Sequence, residues 1–153
     1  RDEPIVEEKL TLRTLEYEAQ EGREVFLEYL HGEKLCALLR LRLPSFRGAS
    51  TVIARSEPAD RRASDEAISL RVPRHIPIIR EIHTFGIHLP LGKREKSASQ
   101  HLGLGKKLIS EAEKLTRESG FRKIAVISAI GTRPYYRKLG YRLSGTYMVK
   151  RFF

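Results

Sequence analysis

Cysteine is nearly missing from this sequence: Cys36 is the only one in 153 residues. That excludes an internal disulfide, and it excludes a Cys/His cluster with zinc-site spacing. The lone thiol lies in the run Leu35-Cys36-Ala37-Leu38-Leu39, where it reads as a small, buried, inert side chain. Long apolar runs are missing too. None approaches the ~20 residues that cross a bilayer, so no membrane partner is expected, and a reducing, cytoplasmic setting fits the cysteine usage. No charged-then-apolar leader opens the sequence. It begins at Arg1 rather than Met and is expected to be a piece of something longer. Neither an internal repeat nor a composition break divides it, so residues 1–153 are expected to form a single domain.

What is present suits a folded core. Hydrophobic residues make up 41% and charged residues 31%, unlike a disordered chain. The formal net charge is +10. Such a balance favours partners that carry phosphate, whether nucleic acid or a phosphorylated cofactor, and disfavours strongly basic peptides. Solubility alone would account for the same excess, so charge by itself does not name RNA.

Hydrophobic patterning divides the chain. Residues 1–8 are acidic, contain Pro4 and read as a lead-in. Leu10–Tyr17, Val25–Leu30 and Lys34–Leu43 alternate as strands, with turns at Glu21-Gly22 and His31-Gly32. Connections this short favour an antiparallel meander, which Pro44 ends. Arg55–Asp65 is polar enough for an exposed loop. A strand is expected over Ile78–Phe85, then a break at Gly86 and a polar loop over 92–99. Leu104, Leu108, Ala112 and Leu115 share one face of a helix over Leu104–Ser119, and Gly120 suits its end. Lys123–Ala129 reads as a short strand buried on both faces. Thr132 is expected to cap a short helix from Arg133, with Pro134 in its first turn, and Tyr141–Phe153 supplies a last strand. The sum is an α/β (α+β) layer fold, a mixed and mostly antiparallel sheet flanked by helices.

The chemistry centres on Gln100-His101-Leu102-Gly103-Leu104-Gly105-Lys106. A helix N-terminus offers unpaired N–H groups and the positive end of a dipole. Glycines let that backbone approach a pyrophosphate with no Cβ in the way, and Lys106 and Lys107 add charge at the same end. A P-loop does not fit, because Gly103 and Gly105 are too close and Lys107 follows Lys106. A dinucleotide fingerprint does not fit either, because Leu108 stands where its third glycine belongs. Further on, Tyr135 and Tyr136 sit in a short helix that Gly140 ends. A phenol there could donate a proton to a departing thiolate or hydrogen-bond the sulfur.

Together these residues resemble the GNAT acetyltransferase superfamily. Its pyrophosphate loop matches Gln100-x-x-Gly103-x-Gly105, and its next block matches Tyr135–Tyr141. Longer phrases narrow the resemblance. Arg80-Glu81-Ile82-His83-Thr84-Phe85-Gly86, Lys123-Ile124-Ala125-Val126-Ile127-Ser128, Tyr135–Leu143 and the tail Tyr147-Met148-Val149-Lys150 look like the C-terminal acetyltransferase domain of the Elongator catalytic subunit. Leu38–Ser45 looks like its upstream part, and the likeness is weakest over Phe46–Ile76. The resemblance implies the GNAT acyl-CoA acetyltransferase fold, acetyl-CoA as ligand, and modification of the wobble uridine of tRNA. In that family a radical S-adenosylmethionine domain acts on the acetyl group, which joins carbon 5 of uridine. Hydrolysis of the thioester then leaves a carboxymethyl group. The 4Fe-4S cluster needs three cysteines and this chain has one, so cluster and S-adenosylmethionine are expected only in a missing part of the full-length protein. The implied partners are tRNA, that radical domain and other Elongator subunits.

By the same resemblance, the backbone of Glu81, Ile82, His83 and Thr84 holds the pantetheine arm as an added strand. Gly103, Leu104, Gly105 and Lys106 cradle the pyrophosphate, and Tyr136 lies near the thioester. Read from pattern alone, Glu81 and His83 share a strand face about 7 Å apart, where they could position water or a reacting group. An ion pair for Glu81 and a half-buried strand position for His83 are the structural alternatives. Tyr135 stacks on a base or packs, and His101 meets ligand or solvent. The catalytic candidates are therefore Glu81, His83, Tyr135 and Tyr136, with no metal. Arg40, Arg42, Arg61, Arg62, Arg74, Lys93, Arg94 and Lys96 could meet RNA phosphates as generic electrostatics. Two other functions stay open: an amine acetyltransferase with Glu81 or His83 as base, and a non-enzymatic RNA-binding module.

Overall fold

Three long strands joined by tight turns open the sheet: β1 (Leu10–Ala19), β2 (Gly22–His31) and β3 (Lys34–Pro44). The computed structural model describes residues 7–45, 75–85 and 103–153. Outside them lie the expected loops over Arg55–Asp65 and 92–99, the break at Gly86, and Gln100, His101, Arg61, Arg62, Arg74, Lys93, Arg94 and Lys96. Next come β4 (Ile78–Thr84), α1 (Leu104–Glu118), β5 (Lys123–Ile127), a 3-10 turn (Ile130–Thr132), α2 (Arg133–Lys138), β6 (Arg142–Ser144) and β7 (Tyr147–Arg151). The seven strands form one sheet in the order β1-β2-β3-β4-β5-β7-β6. Only β4 and β5 run parallel; every other neighbouring pair is antiparallel. This is the mixed, mostly antiparallel α/β architecture expected from the pattern.

Alternation explains the two faces. Val25, Leu27, Leu39, Leu41 and Leu43 point to one side, where Leu104, Leu108, Ile109 and Ala112 of α1 bury them. Removing such side chains from water stabilises by ~2 kcal/mol each, more than local propensity supplies. Cys36 is fully buried in this core, and burial pushes its thiol up. The interleaved residues face the other way. There Glu24, only 2% exposed, is held by Arg40 at 2.9 Å, Arg80 at 3.2 Å and Arg42 at 3.6 Å. The Arg40 guanidinium also lies over the Phe26 ring, which stacks on Tyr17. Arg40 and Arg42, expected to meet phosphate, are thus engaged in this cluster.

The structure corrects the sequence reading in four places. The last strand is two, because the chain turns back between Ser144 and Tyr147 and pairs β6 with β7. Pro44 closes β3 from inside the strand instead of after it. Thr132 precedes α2 but does not cap it. Its hydroxyl donates to the Ala129 carbonyl at 2.9 Å, closing the 3-10 turn before the helix. In β5 only Ile124, Ala125 and Val126 are buried; Ile127 is exposed.

Candidate active site where two strands part

Strands β4 and β5 stay together for two residue pairs only, Ile78 with Ala125 and Ile79 with Val126. Beyond Ile79 a bulge displaces β4, so that Leu41 faces Ile79 and Arg40 faces Glu81, leaving Arg80 extra. A bulge shifts by one residue which backbone groups face which neighbour. The Phe85 N–H donates to the Cys36 carbonyl at 2.8 Å. By antiparallel alternation the backbone of His83 and Glu81 also turns to β3. The N–H and C=O groups of Ile82 and Thr84 then face the side from which β5 has departed. They form a short row of backbone donors and acceptors with no strand beside them among the described residues.

The glycine turn stands next to this row. Gly103 precedes α1 with φ +65°, a left-handed conformation that costs any residue with a Cβ. Its carbonyl accepts from the Lys107 N–H at 3.1 Å, the first bond of the helix. No acidic residue occupies the first turn, so no carboxylate of the helix itself meets the positive end of its dipole. Leu104 belongs to the core, with its side chain fully buried. A Cβ on Gly105 would lie 3.7 Å from Thr84 Cγ2, 3.7 Å from Tyr135 Oη and 3.9 Å from Ile82 Cδ1. Lys106 is exposed and has no ion pair among the described residues. Lys107, by contrast, is paired with Glu7.

The two tyrosines close the cleft from α2. Their rings meet edge to face at 5.3 Å. Burial raises both phenols above their ordinary range, and for Tyr136 the neighbouring Tyr135 adds to the effect. Both are therefore protonated donors at neutral pH. Tyr135, Tyr136, Ile82, Thr84, Gly105 and Lys106 surround a cavity of about 510 Å³. A smaller hollow of about 270 Å³ continues past Tyr136 between Val126 and His83.

On the hollow's rim the His83 ring nitrogen Nε2 lies 2.8 Å from Glu81 Oε1. The pair expected to share a strand face is thus in direct contact, and Glu81 takes His83 rather than an arginine. Both side chains are about half exposed. His83 also stacks on Phe85 at 6.2 Å. Around the larger cavity the one lining residue that escaped the sequence reading is Thr132, which also borders the smaller hollow with the equally unforeseen Arg80 and Val126. Only adjacency to the tyrosine pair could have marked Thr132. Among the described residues there is no group of three metal-ligating side chains, and no helix is long and apolar enough to cross a membrane.

No family model matches the chain. Individual proteins do. A protein named tRNA uridine(34) acetyltransferase from Dehalococcoides mccartyi is 38% identical over 92% of this chain and 27% of its own length. Elongator complex protein 3 from Homo sapiens is 40% identical over 88% of this chain and 22% of its own length. The chain therefore spans about a quarter of the curated relatives it matches. A solved structure of Methanocaldococcus infernus Elp3 with an N-terminal deletion superposes with a TM-score of 0.66 at 34% identity, over 96% of this chain and 31% of that one. The resemblance to the Elongator catalytic subunit, and the fold it implied, are borne out.

Proposed function

We propose, from this likeness, that the chain is the acetyl-CoA-binding domain of a tRNA carboxymethyluridine synthase, supplying the acetyl group for the wobble uridine at position 34. The observation that carries the proposal is the convergence of Gly105, Ile82, Thr84 and Tyr135 on one cleft at the parting of β4 and β5. On this reading the backbones of Ile82 and Thr84 hold the pantetheine amides, taking the place of the absent strand. The N–H groups after Gly103 and the Lys106 ammonium meet the diphosphate. Tyr136, with Tyr135 beside it, offers a protonated phenol to the thioester. When the C–S bond breaks, that phenol hydrogen-bonds the sulfur on which negative charge appears. Glu81 and His83 stand on the rim, where they orient water or the entering nucleoside. Cys36 is the sole thiol and is buried, so this chain has no ligand set for a 4Fe-4S cluster. The cluster, S-adenosylmethionine and the radical step then belong to another part of a full-length cytoplasmic protein, whose other partners are tRNA and Elongator subunits.

The Glu81–His83 contact favours one second reading, transfer of acetyl to an amine. A carboxylate hydrogen-bonded to an imidazole is one arrangement that can serve as a general base. The deciding experiment is calorimetric titration with acetyl-CoA and desulfo-acetyl-CoA, repeated on Gly105→Arg. Binding that the substitution abolishes supports the cofactor site, and absence of binding by the native chain removes it. Multiple turnover on simple amines by the chain alone moves the second reading ahead.

A further inference from the structure

Behind Tyr136 lies a buried polar network that the proposed chemistry does not use. Glu113, on the sheet-facing side of α1, is 8% exposed. Its Oε1 accepts from the Tyr141 hydroxyl at 2.9 Å, and its Oε2 accepts from Lys150 Nζ at 2.7 Å. The same ammonium lies 5.6 Å from the centre of the Tyr141 ring. A carboxylate at a helix–sheet interface costs free energy unless its oxygens are satisfied, and a well-packed leucine would avoid that cost altogether. The contacts of this network lead to the cleft.

Tyr141 is 1% exposed and meets Tyr136 edge to face, with ring centres 5.7 Å apart. Its N–H donates to the Tyr136 carbonyl at 3.1 Å. The Tyr141 ring is thus fixed at its hydroxyl by Glu113 and at its backbone by α2. Tyr136 has no such anchor. Its hydroxyl makes no hydrogen bond among the described residues, and its ring, 4% exposed and part of the core, has Tyr135 and Tyr141 as its edge-to-face aromatic neighbours. Tyr135 is itself 42% exposed, whereas Tyr141 is buried and held at both ends, so Tyr141 is the fixed one of the two aromatic neighbours. We infer that Glu113 and Tyr141 are positioning residues, which fix the ring of Tyr136 and thereby aim its phenol at the acyl group. The inference rests on the proposed function for its catalytic meaning, but not for its geometry.

Two measurements test it separately. In the ligand-free chain with 13C-labelled tyrosine, the Tyr136 ring signals are assigned by their loss in Tyr136→Phe. Tyr141→Phe and Glu113→Gln should each shift or broaden those signals, and Glu113→Gln covers the case in which Tyr141→Phe fails to fold. A merely structural network would lower the melting temperature of both variants and leave Tyr136 unmoved, which overturns the inference. The second measurement is the affinity ratio of acetyl-CoA to CoA. Tyr136→Phe should reduce it about three- to tenfold, the worth of one hydrogen bond. Tyr141→Phe should do the same, and the double variant should lose no more than either single one. Additive losses would mean that Tyr141 acts elsewhere. A native chain that binds no acetyl-CoA would sink the proposed function, while the ring signals would still decide the positioning.

Discussion

Gly105 and Tyr135 face each other across the mouth of the cleft, close enough that a methyl group on residue 105 would rest 3.7 Å from Tyr135 Oη. That is ordinary contact, so Gly105→Ala should fold. It should even gain about 0.5 kcal/mol, because alanine loses less backbone entropy in a helix. The methyl would nevertheless occupy space beside the helix N–H groups, and acetyl-CoA affinity should fall about tenfold, on the order of 1.4 kcal/mol. Gly103→Ala should behave in the opposite way. Nothing lies within 4 Å of its Cβ, yet φ is +65°, so the loss is one of stability, about 1 kcal/mol. Thermal melts and calorimetry on both variants separate space from backbone strain.

The bulge at Arg80 makes a sharper demand. If the Ile82 N–H faces the parted strands and the His83 N–H faces β3, proline should distinguish them. Ile82→Pro removes a donor that no strand receives, and should keep the fold while weakening acetyl-CoA binding about tenfold. His83→Pro removes a ladder bond and should destabilise by about 2 kcal/mol, the penalty of the carbonyl left unpaired. Equal destabilisation by the two prolines in urea titrations would mean that the alternation has been assigned the wrong way round.

Alkaline pH probes Tyr141. Burial, then the charge of Glu113 and its hydrogen bond, push this phenol far above its ordinary value. The folded chain keeps a proton that the unfolded chain releases near pH ~10. Stability is therefore independent of this group below about pH 10 and falls as pH rises above it. Burial raises Tyr29, Tyr135 and Tyr136 in the same direction. Tyr141→Phe should lose about 1 kcal/mol at neutral pH, and its melting temperature should decline less steeply on the alkaline side. An unchanged alkaline slope would show that Tyr141 does not hold the proton.

Glu24 is the anchor of the opposite sheet face. Removing it by Glu24→Ala leaves Arg40, Arg42 and Arg80 mutually repelling, and should cost about 2 kcal/mol, the worth of a charged hydrogen bond. The loss stays at that level because Arg80 and Arg40 still reach water. Lowering the salt should deepen the defect. A variant as stable as the native chain at low salt would show that the arginines disperse into solvent on their own.

Much of this was legible in the residues. Alternation of leucine with arginine over Leu38–Leu43 marked a strand with one buried face, and the tight turns at Glu21-Gly22 and His31-Gly32 marked its neighbours. Gly103 and Gly105 ahead of Leu104, Leu108 and Ala112 marked a helix open at its start. The hairpin after Tyr141 was missed because β6 is three residues long, too short for a period to register. A threonine hydroxyl at such a position can accept from a helix N–H or donate back to a preceding carbonyl, and local sequence does not choose between capping and closing a 3-10 turn. The parting of β4 from β5 is a tertiary fact. It depends on one extra residue at Arg80, and a bulge leaves no compositional trace when the residue is an exposed arginine. The contacts of Tyr141 with Glu113, 28 positions apart, are likewise beyond any window.

Because only two residue pairs join β4 to β5, the sheet is mechanically two plates on a short seam, spanned from behind by α1. A ligand lying in the open stretch would act as a splint along that seam. The twist between β1–β4 and β5–β7–β6 would then depend on the length and stiffness of what fills the gap. Amide exchange at the ends of β4 and β5 would report how tightly the splint is seated.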